Sequence, residues 1–429
     1  MNVAFLTLGC KVNQYETNGM IQRFQDRGYN LVEFDEKADI YVINTCTVTN
    51  MSDRKSRQFI RQAKKNNPDA IVVAVGCYVQ VAKEEIESIP EIDLTLGTND
   101  KVEIVDHVEK FINDKIKKDA VDNIVYEAEF DDFGTVTYTE KTRAVIKVQD
   151  GCDRFCSYCI IPFARGKIRS RKPESVIEEI KEIANAGIKE VVITGIHVAS
   201  YGRDFENDYR LIDLLEEINE ISGIERIRLG SIEPLLITEE FMDRLIKLYK
   251  VCHHFHLSLQ SGNTNTLKRM NRRYTAEEFE VIVNRLRSYY DDVILTTDII
   301  VGFPGETDEE FNDTYEYLKR INFYKMHVFK YSPRKGTKAA EMKNQISGDI
   351  KEVRSKALLN LSDENEIRYL DSYIGKEVNV LFEEFDGEYY KGHTENYIMV
   401  KAKSENDLSN KIINVKIDSR EELCLMSSK

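Results

Sequence analysis

The chain has 429 residues, 42% of them hydrophobic, and a formal net charge of −14 from 60 basic and 74 acidic side chains. That length predicts about two to four domains, and the acidic balance excludes a protein whose whole surface wraps nucleic acid or membrane, though not one with a local basic site. Only 7 prolines and no low-complexity run leave little room for long disordered segments, and no window approaches the roughly 18 apolar residues of a membrane helix. The opening MNVAFLTLGC has no basic stretch followed by a long apolar one, so it reads as a strand rather than a signal peptide; the expected compartment is the cytoplasm. Short apolar runs at 2–8, 39–44, 70–76 and 93–97 alternate with helical patterns near 14–26, 52–65, 81–89 and 102–111, which predicts an N-terminal doubly wound parallel sheet. Residues 115–140 are acidic and irregular and read as a linker. Strands are then expected at 143–148, 190–194, 226–230, 255–259, 293–301 and 326–331, with helices at 174–186, 209–221, 239–249, 276–290 and 308–321. Six strands joined by five helices predict a central (β/α)6 partial TIM-type barrel, with ligands at the carboxyl ends of its strands. A charged helix over 349–369 leads to alternating segments at 377–382, 389–394, 397–400 and 412–417, with Asp386-Gly387 as a hairpin signal, which predicts a small antiparallel β-barrel. The α/β chain thus divides into 1–115, 138–368 and 371–429.

Eight cysteines are too few for a disulfide scaffold in a chain of this size. Three of them, Cys152, Cys156 and Cys159, lie in DGCDRFCSYC directly after the first expected barrel strand, spaced C-x3-C-x2-C. A structural zinc site usually takes four ligands, often as paired C-x2-C units; three thiolates instead suit a four-iron cluster with one iron left open to substrate. Structural zinc and three unrelated thiols are the plainer alternatives. Tyr158 places an aromatic ring beside the last cysteine.

C-x3-C-x-aromatic-C after the first strand of a β/α barrel resembles the radical S-adenosylmethionine (SAM) superfamily. LGCKVNQYET, NTCTVTNMSDRKSRQ, VGCYVQ, QDGCDRFCSYCIIPFARGKIRSR, IRLGSIEP, HLSLQSG and DIIVGFPGET together resemble the methylthiotransferases along the whole chain. GCKVNQYE, NTCTVTN and QDGCDRFCSYCIIPFARG are most similar to the threonylcarbamoyladenosine tRNA methylthiotransferase branch; the isopentenyladenosine-tRNA and ribosomal-protein branches differ there. Cys10, Cys46 and Cys77 each end an expected strand (LTLGC, VINTC, AVGC), and in a parallel sheet the carboxyl ends share one edge, so these thiols can converge. The alternative is that Cys simply ends buried strands. The resemblance implies that these three hold a second [4Fe–4S] cluster.

The resemblance also implies that SAM binds the open iron at Cys152, Cys156 and Cys159, supported by Tyr158, Thr194, Gly195, Ser231, Glu233, Gln260 and Asp298, with Arg273 pairing the SAM carboxylate. The loop Gly302–Glu306 would lie on the adenine side or serve as a plain turn. Three basic runs are expected around one rim as a polyanion-binding face: Arg165, Lys167, Arg169, Arg171 and Lys172; Lys268, Arg269, Arg272 and Arg273; Arg54, Lys55, Arg57 and Arg61. His253, His254 and His256 read as packing residues, and Cys252 and Cys424 have no assigned role. The tail resembles the RNA-binding TRAM domain, yet it carries 12 acidic and 8 basic residues from 371 to 429, a net charge of −4 that departs from a basic RNA surface. The implied activity replaces an aromatic C–H of a tRNA adenosine next to the anticodon by a thiomethyl group, with the anticodon stem-loop and an electron donor protein as partners and no membrane; the sulfur source is not encoded. The competing readings are a methylthiotransferase of another substrate (isopentenyladenosine tRNA or a ribosomal protein) and a non-catalytic iron–sulfur RNA-binding sensor.

Overall fold

The computed structural model describes residues 1–99, 101–114, 119–120, 129–137 and 142–428. Its first layer is a parallel sheet of β1 (Asn2–Thr7), β2 (Asn30–Val32), β3 (Ile40–Thr45), β4 (Ile71–Gly76), β5 (Leu94–Leu96) and β6 (Asp119–Ala120), in the order β2-β1-β3-β4-β5-β6. Between the strands run α1 (Lys11–Asp26), α2 (Asn50–Asn66), α3 (Cys77–Val81), α4 (Lys83–Glu87) and α5 (Ile104–Asp114). The central strands β3 and β4 are mostly apolar because both faces are covered. Tyr41, Ile43, Val72 and Ala74 pack with Ile60 and Ala63 of α2, whereas Ile40, Val42, Val73 and Val75 pack with Tyr15, Met20 and Phe24 of α1 and Val108 of α5. The helix expected over 81–89 begins earlier, at Cys77 itself, and breaks into α3 and α4 at Ala82.

The central region contains β7 (Arg143–Asp150), α6 (Ile161–Arg165), β8 (Arg169–Ser170), α7 (Pro173–Asn185), β9 (Glu190–Gly195), α8 (Leu211–Asn219), β10 (Arg226–Leu229), β11 (Ser231–Ile232), α9 (Glu239–Leu245), β12 (His254–Gln260), α10 (Thr264–Arg269), α11 (Ala276–Tyr289), β13 (Ile294–Val301), α12 (Asp308–Ile321), β14 (Lys325–Lys330), α13 (Lys338–Glu341) and α14 (Gly348–Asp371). The expected strand at 226–230 ends at Leu229 as β10, and after Gly230 a further short strand, β11, belongs to a different sheet, the two sheets being β10-β9-β7-β8 and β11-β12-β13-β14. The six-strand series is therefore two four-stranded sheets joined at Gly230 rather than one continuous array. One core still runs beneath both, from Ile146 and Ile193 through Ile227 to Leu257 and Leu295, covered by Ile180, Leu214, Phe279 and Leu318 of the outer helices. Capping boxes at Thr275/Glu278 and Thr307/Glu310 start α11 and α12 where the sequence pattern placed them.

The tail forms β15 (Glu377–Phe385), β16 (Tyr390–Thr394), β17 (Met399–Ala402), β18 (Lys411–Lys416), β19 (Ser419–Glu421) and β20 (Cys424–Ser427), in the order β18-β15-β16-β17-β20-β19. β17 and β20 are parallel and the other neighbours antiparallel, so the sheet has two strands and one parallel pair more than expected. It docks on the amino ends of the central strands. Arg143 at the start of β7 pairs with Glu383 at 3.0 Å; Arg226 donates to the carbonyls of Asn379 (2.8 Å) and His393 (3.0 Å), and Arg228 to that of Glu395 (2.8 Å). The Tyr397 ring lies under both Arg143 and Arg228, at 5.0 and 4.7 Å.

The expected linker is in part a packed strap. Phe133 and Val136 are buried, Arg23 and Gln22 of α1 donate to the carbonyls of Phe133 and Thr135, and the Val136 N–H donates to Glu179 of α7. Residues 115–118, 121–128 and 138–141 of that stretch lie outside the described residues. Among the described residues no helix is long and apolar enough to cross a membrane.

Candidate functional site

β1, β3 and β4 are neighbours in one parallel sheet, in register at Thr7 with Asn44 and Thr45 with Gly76, so the residues after each strand lie along one edge. Cys10 caps α1, Cys46 begins the loop into α2, and Cys77 is the first residue of α3. The approach is close: Gly9 has φ +106°, and a Cβ on it would stand 2.8 Å from Cys46 Sγ. All three thiols are free. Burial, with a smaller contribution from charge on Cys77 or Cys10, pushes the Cys46 thiol up to about 11 against the lowering hydrogen bonds of Val48 and Ser52. Such a thiol is deprotonated by a bound metal centre, which is the chemistry the trio suits.

The second trio occupies the loop after β7. Gly151 (φ +69°) turns the chain where any Cβ would strike the Lys167 carbonyl at 1.8 Å, and the Cys152 N–H donates to the Gly166 carbonyl. Phe155, between two cysteines, is held at φ +48° and is 49% exposed. The loop is tied down by Ser157, whose Oγ–H and N–H donate to the carbonyls of Arg269 and Met270, and by Asn271, which donates to the Phe155 carbonyl. Burial raises Cys152 to about 11 and Cys159 to about 12. Among the described residues, the His, Cys, Asp and Glu ligand atoms that gather within 4.8 Å of one another belong to His253, Asp292 and Glu395, so neither cysteine trio is drawn that tight. A single zinc ion with Zn–S bonds of about 2.3 Å would require it; a larger cluster does not.

A buried charge network joins the trios. Glu16 of α1 pairs with Lys101 at 2.5 Å, with Lys147 of β7 at 2.8 Å and with Arg165 of α6 at 2.7 Å, while Asp150 pairs with Lys147 at 2.6 Å and Arg165 at 3.0 Å. Burial pushes the Glu16 carboxyl up, but the Arg165, Lys101 and Lys147 cations outweigh it and hold it well below the usual range. Arg165 Nε donates to Cys77 Sγ at 3.3 Å. A second clamp lies at the other thiol: Arg334, beyond β14, donates to Thr47 and Asn50 and pairs with Asp53 at 2.6 Å, holding the loop that Cys46 begins.

At the carboxyl ends of the central strands, Thr194 is buried and Gly195 lies against Gln149, where a Cβ would come within 2.9 Å. Gln149 accepts the His197 N–H at 2.6 Å. Glu233 is buried; burial pushes its carboxyl up, but the His197 hydrogen bond and the Arg272 guanidinium hold it below the usual value. His197 Nε2 stands 3.5 Å from Glu233, and Arg154 Nε, also facing Glu233, is buried without a hydrogen-bond partner among the described residues, a polar lining suited to a polar ligand such as SAM. Gln260 ends β12 in a bulge at φ +77°, a strained position for a non-glycine residue. Tyr158 packs beside Met270 and Phe303. Ser231 is exposed. Asp298 lies in mid-strand, not at the end of β13, and meets His256 Nε2 at 3.2 Å. Arg273 is exposed; the neighbouring Arg272 takes the inward place, donating to Cys156 Sγ (3.4 Å), Glu233 (3.0 Å) and the Ser258 carbonyl (2.8 Å). Glu306 closes its own loop by accepting the Gly302 N–H and pairing with Arg354 of α14.

The first basic run does not form a polyanion face. Arg165, Arg169 and Arg171 are buried, Arg169 on Asn99 and Asp150, Arg171 on Glu179 and Asp132. Lys167 and Lys172 line a groove of about 1460 Å³ that they share with Glu174, Glu178, Asp204 and Glu206. Arg57 and Arg269 pair with Glu85 and Glu310. Arg54, Lys55, Lys268 and Arg273 remain exposed. The sequence pattern does not mark His197 or Arg334 as site residues, and it places Arg165 in a polyanion-binding run rather than beside Cys77.

Residues 146–318 match the radical SAM superfamily, and residues 2–97 match a group described as uncharacterized protein family UPF0004. The chain is 42% identical over 421 residues to threonylcarbamoyladenosine tRNA methylthiotransferase MtaB of Bacillus subtilis (strain 168), covering 97% of this chain and 93% of that protein. It is also 42% identical over 417 residues to the protein of the same name from Aquifex aeolicus (strain VF5), covering 97% of this chain and 100% of that one. Of solved structures, the radical S-adenosylmethionine methyltransferase TsrM from Kitasatospora setae, with cobalamin and a [4Fe-4S] cluster bound, aligns with a TM-score of 0.57 at 17% identity over 77% of this chain and 73% of its own, a likeness of fold. Both cysteine trios fall inside the two matched regions or directly at their strand ends, and with relatives so similar over nearly the whole length, the chain belongs to the threonylcarbamoyladenosine tRNA methylthiotransferase family of the radical SAM superfamily.

Proposed function

We propose that this protein converts N6-threonylcarbamoyladenosine next to the anticodon of tRNA to its 2-methylthio derivative, working in the cytoplasm with a small electron-transfer protein as reductant. The observation that carries this reading is the pair of free cysteine trios, one along the edge of the N-terminal sheet and one in the loop after β7, linked through the buried Arg165 network. When bound, a [4Fe–4S] cluster with SAM supplies one-electron cleavage chemistry at Cys152, Cys156 and Cys159, and a second cluster supplies sulfur at Cys10, Cys46 and Cys77. The chain's own residues bind, orient and exclude water. Gly195 lets Gln149 approach closely, Glu233 with His197 and Arg272 offers a fixed polar wall, and Thr194, Gln260 and Tyr158 complete the lining for SAM. Arg272, rather than Arg273, is the guanidinium within reach of that lining. Exposed Phe155, Phe163, Val48 and Met51 beside the cysteines give an unstacked base apolar surface, and Arg54, Lys55 and Arg273 meet the backbone phosphates. The tail, docked at the far ends of the strands and acidic, supports the barrel from beneath.

The test is nucleoside mass spectrometry of tRNA from a deletion strain complemented with this chain. Return of 2-methylthio-N6-threonylcarbamoyladenosine is expected; return of a methylthio group only on isopentenyladenosine would reassign the substrate. Replacing Cys10, Cys46 and Cys77 by Ala is expected to abolish methylthio transfer while anaerobic protein with dithionite still releases 5′-deoxyadenosine from SAM. No 5′-deoxyadenosine from the unaltered chain would favour an iron–sulfur sensor.

A further inference from the structure

Arg165 is fully buried, and each of its nitrogens has a partner. Nη1 and Nη2 clasp Glu16 at 2.7 and 3.0 Å, Nη1 also reaches Asp150 and Nη2 reaches Asn13 Oδ1 at 2.8 Å. The clasp fixes the plane of the guanidinium and leaves Nε directed at Cys77 Sγ, 3.3 Å away. Holding the two regions together needs only the Nη pairs, so the Nε–sulfur contact is a separate feature. Its place in the chain matters too. α6 starts two residues after Cys159 and ends on Arg165, so a single helical turn runs from the last cysteine of one trio to a thiol of the other. The first trio has a counterpart in Arg272, which donates to Cys156 Sγ at 3.4 Å. Lys101, Lys147 and Arg165 surround Glu16 and Asp150, all five side chains at most 1% exposed, Arg169 and Asp131 lie against the same group, and Arg165 is the member that touches Cys77.

We propose that Arg165 is a positioning residue for the cluster on Cys10, Cys46 and Cys77, donating an N–H···S hydrogen bond to the Cys77 ligand that orients it and raises that cluster's reduction potential. The proposal rests on the two-cluster reading given under the proposed function. A donor to a ligand sulfur stabilises the reduced, more negative state over the oxidised one, and a charged donor does so most strongly.

The test uses the full chain carrying Cys152→Ala, Cys156→Ala and Cys159→Ala, reconstituted without air so that one cluster remains, and compares it with the same protein bearing Arg165→Lys or Arg165→Gln. Iron and sulfide should be equal in all three. Redox titration followed by EPR should show a lower potential in both variants, with about a tenfold loss in the reduction equilibrium constant for Gln, about 59 mV for one electron. Pulsed EPR of the parent grown on 15N-arginine should show a nitrogen coupled to the reduced cluster. Arg272→Lys in the same background should leave the potential in place. A full cluster with an unmoved potential in the Arg165 variants overturns the proposal, as does an equal shift from Arg272→Lys. Should the Arg165 variants fail to fold, absence of the 15N coupling in the parent overturns it. A parent that binds no cluster at all refutes the two-cluster reading, and this proposal with it.

Discussion

The central region carries buried or half-buried arginines at both ends of its strands, and the hydrogen bonds at the carboxyl ends include two to cysteine sulfur. At the amino ends, Arg143, Arg226 and Arg228 reach a carboxylate, backbone carbonyls of the tail and the face of Tyr397. At the carboxyl ends, Arg165 and Arg272 reach Glu16, Asp150 and Glu233, and then each touches a cysteine sulfur. Carbonyls and rings are what any two packed surfaces offer, so the lower seam is adhesive. A thiol is a poor acceptor and contributes little to adhesion, so the two sulfur contacts at the carboxyl ends add little to holding the regions together.

That contrast can be broken most forcefully at the two carboxylates, Glu16 above and Glu190 below. Glu16→Ala leaves three buried cations without their shared partner and is expected to cost about 3–5 kcal/mol in urea unfolding, with loss of iron from the trio Cys10, Cys46 and Cys77. Glu190→Ala strands Arg228, which it pairs at 2.7 Å, and should cost a similar ~3–5 kcal/mol with iron content unchanged. If Glu190→Ala also lowers iron, the two seams are not separate in role. A smaller effect is expected from Tyr397→Ala, which removes two cation–π contacts and should cost about 1–2 kcal/mol and speed proteolysis between α14 and β15, with methylthio transfer retained. The smallest effect concerns pH. At the lower seam His253 lies beside Asp292 (2.7 Å), Glu395 (3.8 Å) and the Tyr290 ring; its hydrogen bond to Asp292 raises its pKa against the opposing effect of burial. Because the folded value lies above the unfolded one, the stabilisation is complete below about pH 6.5 and disappears as pH climbs through the raised folded value. Thermal melts from acid to alkaline pH should therefore show a loss of a few tenths of a kcal/mol (~0.2–1 for a half-exposed pair) that His253→Gln does not show; parallel curves for the two proteins would refute it.

The cysteines were legible because spacing and strand position are local properties: LTLGC, VINTC and AVGC each pair a buried strand with a thiol at its end. Charges were not. RGKIRSR looks like a solvent-facing basic run, and nothing nearby in sequence reveals that Arg165 is neutralised by Glu16, 149 positions away. Arg272 and Arg273 differ only in phase, which is set by Asn271 at φ +59° in the turn before them. The strap at 129–137 was missed because two buried side chains, Phe133 and Val136, do not make a periodic pattern. Ser419–Glu421 and Cys424–Ser427 are too short and too charged at their borders to announce strands, and the stretch RIRLGSI around Gly230 gives no sign of the change of sheet it contains.

The brevity of α6 carries a consequence for how this enzyme can vary. Adding one residue to that turn would rotate everything after it by about 100°, swinging the guanidinium off Cys77 and off both carboxylates at once. Loops elsewhere can lengthen or shrink at small cost, but this segment works as a gauge block between two reaction centres, and insertions there should be tolerated least of any in the molecule.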